Sequence, residues 1–180
     1  MRWELLFADL EALADATDRA AFEADVADRA RSERAAVRLT ERLRAHLGAV
    51  LALRLTDRSR VTGRLVDVGA DWLLLDDAGS VLIPLAAVTV VEGLGRASAG
   101  EAGEVQRRAR ITVALRRLAR DRAVVRVATL DGGIVVGTLD RVGADHVDLA
   151  LHAQDELRRA SAVRAVAVLP LAAIVQIRAA

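Results

Sequence analysis

The sequence predicts an α+β protein, with N-terminal helices followed by two small five-stranded antiparallel barrels that an arginine-rich helix joins. Three observations carry this. No glycine or proline occurs before Gly48, in a stretch dense in Ala, Leu, Glu and Arg, residues that favour helix. After Gly48 the apolar residues recur with a period of two, the spacing of strands with one buried face. Finally, residues 61–75 (VTGRLVDVGADWLLL) align with residues 135–149 (VVGTLDRVGADHVDL) at a constant offset of 74. Internal repetition of this kind signals two copies of one small unit. The 180 residues, 53% of them hydrophobic, are enough to bury a core.

The helical region is expected over residues 1–48. Trp3, Leu6, Leu10 and Leu13, and later Ala36, Leu39, Leu43 and Leu47, recur at spacings of three and four, so each set lines one helical face. Thr17 is a candidate cap for a second helix, and Gly48, beside Arg42, Arg44 and His46, a candidate terminator. The charge runs from two Arg against eight acids in residues 1–28 to six against two in residues 29–48, which suits the helix dipole.

The first barrel is placed at residues 49–92. Leu51, Leu53 and Leu55 alternate along its first strand, and Asp57-Arg58-Ser59 makes a hairpin. Gly63 falls inside the second strand, where glycine marks a bend or a close backbone contact. The Val-Gly-Ala-Asp turn follows, then a strand at residues 72–76, a fourth strand ending at Pro84, one helical turn at LAAV and a short last strand. The second barrel, residues 123–180, repeats the series with Val125 and Val127, Asp131-Gly132-Gly133, Gly137, a strand at residues 146–151, Pro170 and LAAI. Beyond the third strand the offset grows from 74 to 86, so the second copy has gained twelve residues, expected as a polar loop at residues 152–165. Between the barrels, residues 93–122 begin with GLGRASAGEAG, which lacks the G-x-G-x-x-G spacing and reads as a flexible linker. They continue into a helix over residues 106–122, with Ile111, Leu115 and Leu118 on one face.

This order of strands, hydrophobic-x-Gly-x-Leu in the second strand, the Val-Gly-Ala-Asp turn and one helical turn before the last strand resembles the Sm-like fold of LSm proteins and bacterial Hfq, a Src-homology-3-type barrel. The resemblance covers residues 49–92 and 123–178. The layout is also similar to actinobacterial proteins labelled as regulators. It implies small barrels that serve in RNA binding and pair through their edge strands. The family's RNA pocket uses an Asn or aromatic after the second turn and a basic residue in the last hairpin; here those places hold Trp72 or His146, and Pro84-Leu85 or Pro170-Leu171. The basic residue is missing in both copies.

Composition narrows the chemistry. No cysteine is present and all 26 basic residues are arginine, so thiolate and lysine chemistry are both absent. No serine lies in a nucleophile-elbow setting. His146 and His152, near Asp145, Asp148 and Asp155, suggest metal ligands, but strand alternation sends Asp145 and His146 to opposite faces. No enzyme, cofactor, metal site or small-molecule substrate is expected. Apolar stretches are too short to span a bilayer and the N-terminal fifteen residues carry four acids, so the expectation is a cytoplasmic protein without membrane contact.

Two arginine sets are the candidate site. Arg31, Arg34, Arg38 and Arg42 are spaced along one helical face, facing either an anion, the acidic first helix or solvent. Arg107, Arg108, Arg110, Arg116, Arg117 and Arg120 cover the polar side of the linker helix. They fit a non-enzymatic regulator that grips the phosphates of nucleic acid, RNA ahead of DNA. The alternative is a protein-interaction or oligomerisation module, favoured by an aromatic content of 2% and by apolar last strands, residues 88–91 and 174–177, able to pair barrel to barrel or between copies. Trp72 and His146, at one position in the two copies, read either as a stacking surface and a switch, or as a barrel cover and an exposed side chain.

Overall fold

The computed structural model describes residues 19, 22–29, 31–32, 34–100, 103, 108–152 and 165–179. It divides into two compact units between Arg38 and Leu39. In the first unit residues 22–29 and 34–36 are helical, and Arg29 and Arg31 pair with Asp25 and Asp28 about one turn back. The stripe of Trp3, Leu6, Leu10 and Leu13 and the Thr17 cap lie outside the described residues.

The second unit is α+β. In chain order it contains α1 (Leu39–Arg44), β1 (Val50–Leu55), β2 (Arg60–Val68), β3 (Trp72–Asp76), β4 (Ser80–Pro84), a 3-10 turn (Leu85–Ala87) and β5 (Val88–Glu92). Then come α2 (Ile111–Arg120), β6 (Val124–Thr129), β7 (Ile134–Val142), β8 (His146–Leu151), β9 (Ala165–Pro170), a second 3-10 turn (Leu171–Ala173) and β10 (Ile174–Ala179). The strands form one antiparallel sheet in the order β5-β1-β2-β3-β4-β10-β6-β7-β8-β9. It does not close on itself, so β5 and β9 are its edges.

The repeated sequence builds repeated backbone. A Cβ on Gly63 would stand 2.6 Å from the Asp76 carbonyl oxygen, and one on Gly137 would collide with the Ala150 carbonyl, so each second strand runs close against the third where only glycine fits. A bulge follows in both, between Leu65 and Asp67 and between Leu139 and Arg141, and bends the strand. The halves meet at β4 and β10, where Val81 pairs with Arg178 and Leu82 with Ile177. The Arg178 guanidinium donates to Asp77 Oδ2 at 2.9 Å beside that seam.

Two apolar clusters fill the unit. Leu51, Leu53, Leu65, Leu73, Leu75 and Ile83 belong to the first, capped by Leu43 of α1. Ile111 and Leu115 of α2 join Val125, Val127, Leu139 and Leu149 in the second. The clusters share strands. Leu73 and Leu75 of β3 enter the first while Trp72 enters the second; on β4, Val81 and Ile83 enter the first and Leu82 the second. This is why WLLL and VLI show no apolar–polar alternation: both faces are covered.

One expectation is revised here. α1 spans six residues and buries only Leu43, because the chain turns at residues 45–48; Leu39 and Leu47 of the expected stripe are exposed. The segment after β5 is tied down: Ala99 donates its N–H to the Glu41 carbonyl at 3.0 Å, and Arg42 donates to the Gly95 carbonyl at 2.7 Å. α2 begins at Ile111 after extended backbone at Arg110, while Gln106 and Arg107 of the expected helix lie outside the described residues. The expected loop of residues 152–165 lies mostly outside the described residues. Among the described residues, no helix is long and apolar enough to cross a membrane.

Candidate functional site

α2 carries the stronger arginine set. Ile111 and Leu115 turn inward to the second cluster, which leaves Arg116, Arg117 and Arg120 on the exposed side, with Arg110 just before the helix and Arg122 just after it. Among the described residues no salt bridge forms to these five, and Asp121 is the only carboxylate among them in sequence. Arg108 is exposed as well, while Arg107 lies outside the described residues. A cleft of about 530 Å³ runs along the helix; Trp72, Leu74, Leu82, Val113 and Leu118 line it together with Arg117. Sequence periodicity missed this cleft, because its floor comes from β3, β4 and β10 of both halves.

The other arginine set is dispersed. The helix is interrupted at Val37 and Arg38, so Arg31 and Arg34 are on one helical segment and Arg42 on another. Arg31 is paired with Asp28 and Arg42 is directed to the Gly95 carbonyl. Arg38 is exposed. A like-charged face explains less once its members have such partners.

The Val-Gly-Ala-Asp turns are nearly superimposable in hydrogen bonding. Gly69 donates to the Trp72 carbonyl and Gly143 to the His146 carbonyl, both at 2.9 Å. Leu85 donates to the Asp71 carbonyl at 2.8 Å and Leu171 to the Asp145 carbonyl at 2.7 Å. The Trp72 indole and the His146 imidazole each lie against the turn glycine, where a Cβ would strike the ring.

Their side chains diverge. Asp71 Oδ1 accepts the Ile111 N–H at 2.7 Å, supplying the helix cap that the Arg110 side chain does not. Trp72 Nε1–H donates to the Ala109 carbonyl at 2.8 Å, and only 8% of the residue is exposed, so it is a buried anchor rather than a stacking surface. In the other copy His146 Nδ1 is 2.8 Å from Asp145 Oδ1. The expectation that these two point to opposite faces fails because Asp145 belongs to the turn, ahead of the first residue of β8. Through this hydrogen bond and the charge of the imidazole, His146 holds the Asp145 carboxyl below its ordinary value.

His152 is not beside them. It is buried, with Nε2 2.8 Å from Thr138 Oγ1. No group of three or more His, Asp or Glu residues is placed to hold a metal ion among the described residues. No protein-family model matches the chain, and no curated protein matches it at a significant level.

Proposed function

We propose that the protein is a non-enzymatic, nucleic-acid-binding regulator. Each half of the sheet serves as a Sm-like barrel, and the arginines of the linking helix α2 grip phosphates. The observation that carries this reading is the group Arg110, Arg116, Arg117, Arg120 and Arg122, exposed on one short segment without a carboxylate partner among the described residues. Arginines left uncompensated on one short segment attract a polyanion. Binding of this kind follows phosphate spacing more than base identity. The Sm-like resemblance makes RNA the first ligand to try and DNA the second.

The experiment is fluorescence anisotropy with single-stranded RNA and DNA over a salt series. Replacing Arg116, Arg117 and Arg120 together with Gln is expected to weaken binding to every sequence alike and to flatten the salt slope by about 0.7 for each lost phosphate contact on a single strand. An unchanged slope overturns the reading. Gln keeps helix propensity close to that of Arg, so helical circular dichroism should persist.

A second reading, an assembly module without nucleic acid, is favoured by the two sheet edges. Among the described residues β9 has β8 as its only strand neighbour and leaves Val166 and Val168 exposed, and β5 has only β1. Open edges of this composition are usually covered by a partner. Concentration-dependent mass by light scattering, with no RNA or DNA bound at low salt, would favour this reading over the first.

A further inference from the structure

The cleft of about 530 Å³ beside α2 has a direction. Its floor is a row of aliphatic side chains laid across three strands: Leu74 of β3 pairs with Leu82 of β4, and Leu82 with Ile177 of β10. Trp72 closes one end, where its indole N–H is committed to the Ala109 carbonyl ahead of α2. Ser80 and Ala179, at the start of β4 and the end of β10, border the other end. The wall is α2 itself. Ile111 and Leu115 enter the second apolar cluster, whereas Val113, Ala114, Arg117 and Leu118 line the cleft, Val113 with 41% of its surface exposed.

The open end is the positive one. Arg117 stands about 9 Å further along the helix than Ile111, away from the end that Trp72 closes. Among the described residues it has no carboxylate partner. Ser80 and Ala179 also border a smaller pocket lined by Arg126 and Arg178, register partners across β6 and β10, of which Arg178 is paired with Asp77. One carboxylate lies on the lining of the cleft, that of Asp67, and its Oδ1 accepts the Val68 N–H at 2.7 Å. An aliphatic floor with a single guanidinium at its mouth lacks the set of polar partners that a base edge requires; it matches a chain of methylenes ending in an anion. A guanidinium takes a carboxylate through two parallel hydrogen bonds.

We propose that the cleft is a binding site for a medium-chain aliphatic carboxylate. The alkyl chain lies on Leu74, Leu82 and Ile177, and the carboxylate meets the Arg117 guanidinium at the open end. The inference goes beyond the nucleic-acid reading and does not depend on it. Among the described residues Arg117 is the one member of the α2 arginine set on the lining, so the ligand occupies one cation of that set and leaves Arg110, Arg116, Arg120 and Arg122 outside the cleft.

The test is isothermal titration calorimetry of the full chain with octanoate, decanoate and decanol, each kept below the concentration at which it aggregates. Trp3 and Trp72 are the only tryptophans, so a Trp3→Phe background lets Trp72 emission report on the cleft. Decanoate is expected to saturate at one molecule per chain, to shift that emission, and to bind about tenfold more tightly than octanoate, since each buried methylene contributes about three- to fourfold. Decanol, without the anion, should bind about tenfold more weakly than decanoate. Arg117→Gln should weaken decanoate about tenfold and leave decanol unmoved, because it removes the charge and keeps the apolar floor. Val113→Asp, at an exposed site in the first turn of α2 where an acid suits the helix dipole, should weaken both. Decanoate that fails to saturate, or that binds no better than octanoate, overturns the site. So does an Arg117→Gln variant that leaves decanoate unmoved or weakens decanol equally, and so does a Val113→Asp variant that changes neither. Retained decanol binding in Arg117→Gln shows the cleft still folded, so misfolding cannot imitate the expected pattern.

Discussion

Asp71 and Asp145 hold one position of a repeated turn, and their carbonyls accept the same kind of N–H, from Leu85 and Leu171. Their carboxylates have different partners. Asp71 caps a helix forty residues further along, whereas Asp145 faces solvent with His146 beside it. Across the molecule the first half works the same way: its β3 and β4 are covered on both faces and its turn is occupied, while among the described residues the matching strand β9 and turn of the second half have no such cover. A duplicated unit therefore keeps the residues that shape the backbone and varies those that choose a partner. Glycine, proline and alternating leucine are shared; tryptophan against histidine is not.

The largest expected effect asks whether the halves are separate folding units. Leu75 and Leu149 are equivalent and both are fully enclosed, one in each cluster. Leu75→Ala and Leu149→Ala should each cost about 2–5 kcal/mol. Because β3 and β4 serve both clusters, urea unfolding of either variant should remain a single transition. Two resolved transitions in either one would break the picture of a sheet that unites the halves.

A smaller effect separates the two turns. Trp72→Phe keeps an aromatic ring but strips the donor from the Ala109 carbonyl, and should cost about 1–2 kcal/mol. His146→Phe, at the half-exposed counterpart, should stay within about 0.5 kcal/mol. Equal costs in thermal unfolding would mean that the indole hydrogen bond does not distinguish the turns.

The hairpins give the smallest effect. Arg58 has φ +69° where the other copy has Gly132 at φ +82°, so the first hairpin forces a side chain into backbone space that suits glycine. Arg58→Gly should stabilise by about 0.5–1 kcal/mol, and Gly132→Ala should destabilise by a similar amount. In the second hairpin the Thr129 hydroxyl, then the Gly133 N–H, hold the Asp131 carboxyl below its ordinary value. A folded-state pKa that is lowered stabilises above the unfolded-state value and loses that contribution as pH falls through the folded one. The stability difference between wild type and Asp131→Asn should accordingly shrink on acidification from about pH 5 to about pH 2, and a constant difference would sever the link to Asp131.

Local chemistry made the strands legible. Leu51, Leu53 and Leu55 alternate because a single face of β1 is buried, the offset of 74 exposed the duplication, and Pro84 and Pro170 marked where the fourth strands end. The ten-residue α2 was legible as an amphipathic stripe, and so was its arginine face. Its start was not, because no residue near Arg110 caps it; the cap is Asp71, which only folding brings there. The contacts of residues 93–100 were hidden for a related reason, since the carbonyl of Glu41 and the guanidinium of Arg42 that meet them lie more than fifty residues earlier. The same holds for Asp145 and His146: alternation predicts faces within a strand and says nothing of a turn residue that folds back on the next ring.

By itself, then, the sequence determined which segments repeat, where the strands run, and which cations gather on one helix, because these follow from spacing and from each residue's own backbone preference. Tertiary structure alone decided that β4 pairs with β10, that Trp72 closes the core of the other half, and that Asp71 of one turn caps a helix while Asp145 of the other meets His146. Those outcomes depend on which surfaces meet between segments far apart in the chain, and identical local sequences carry no record of their different neighbours.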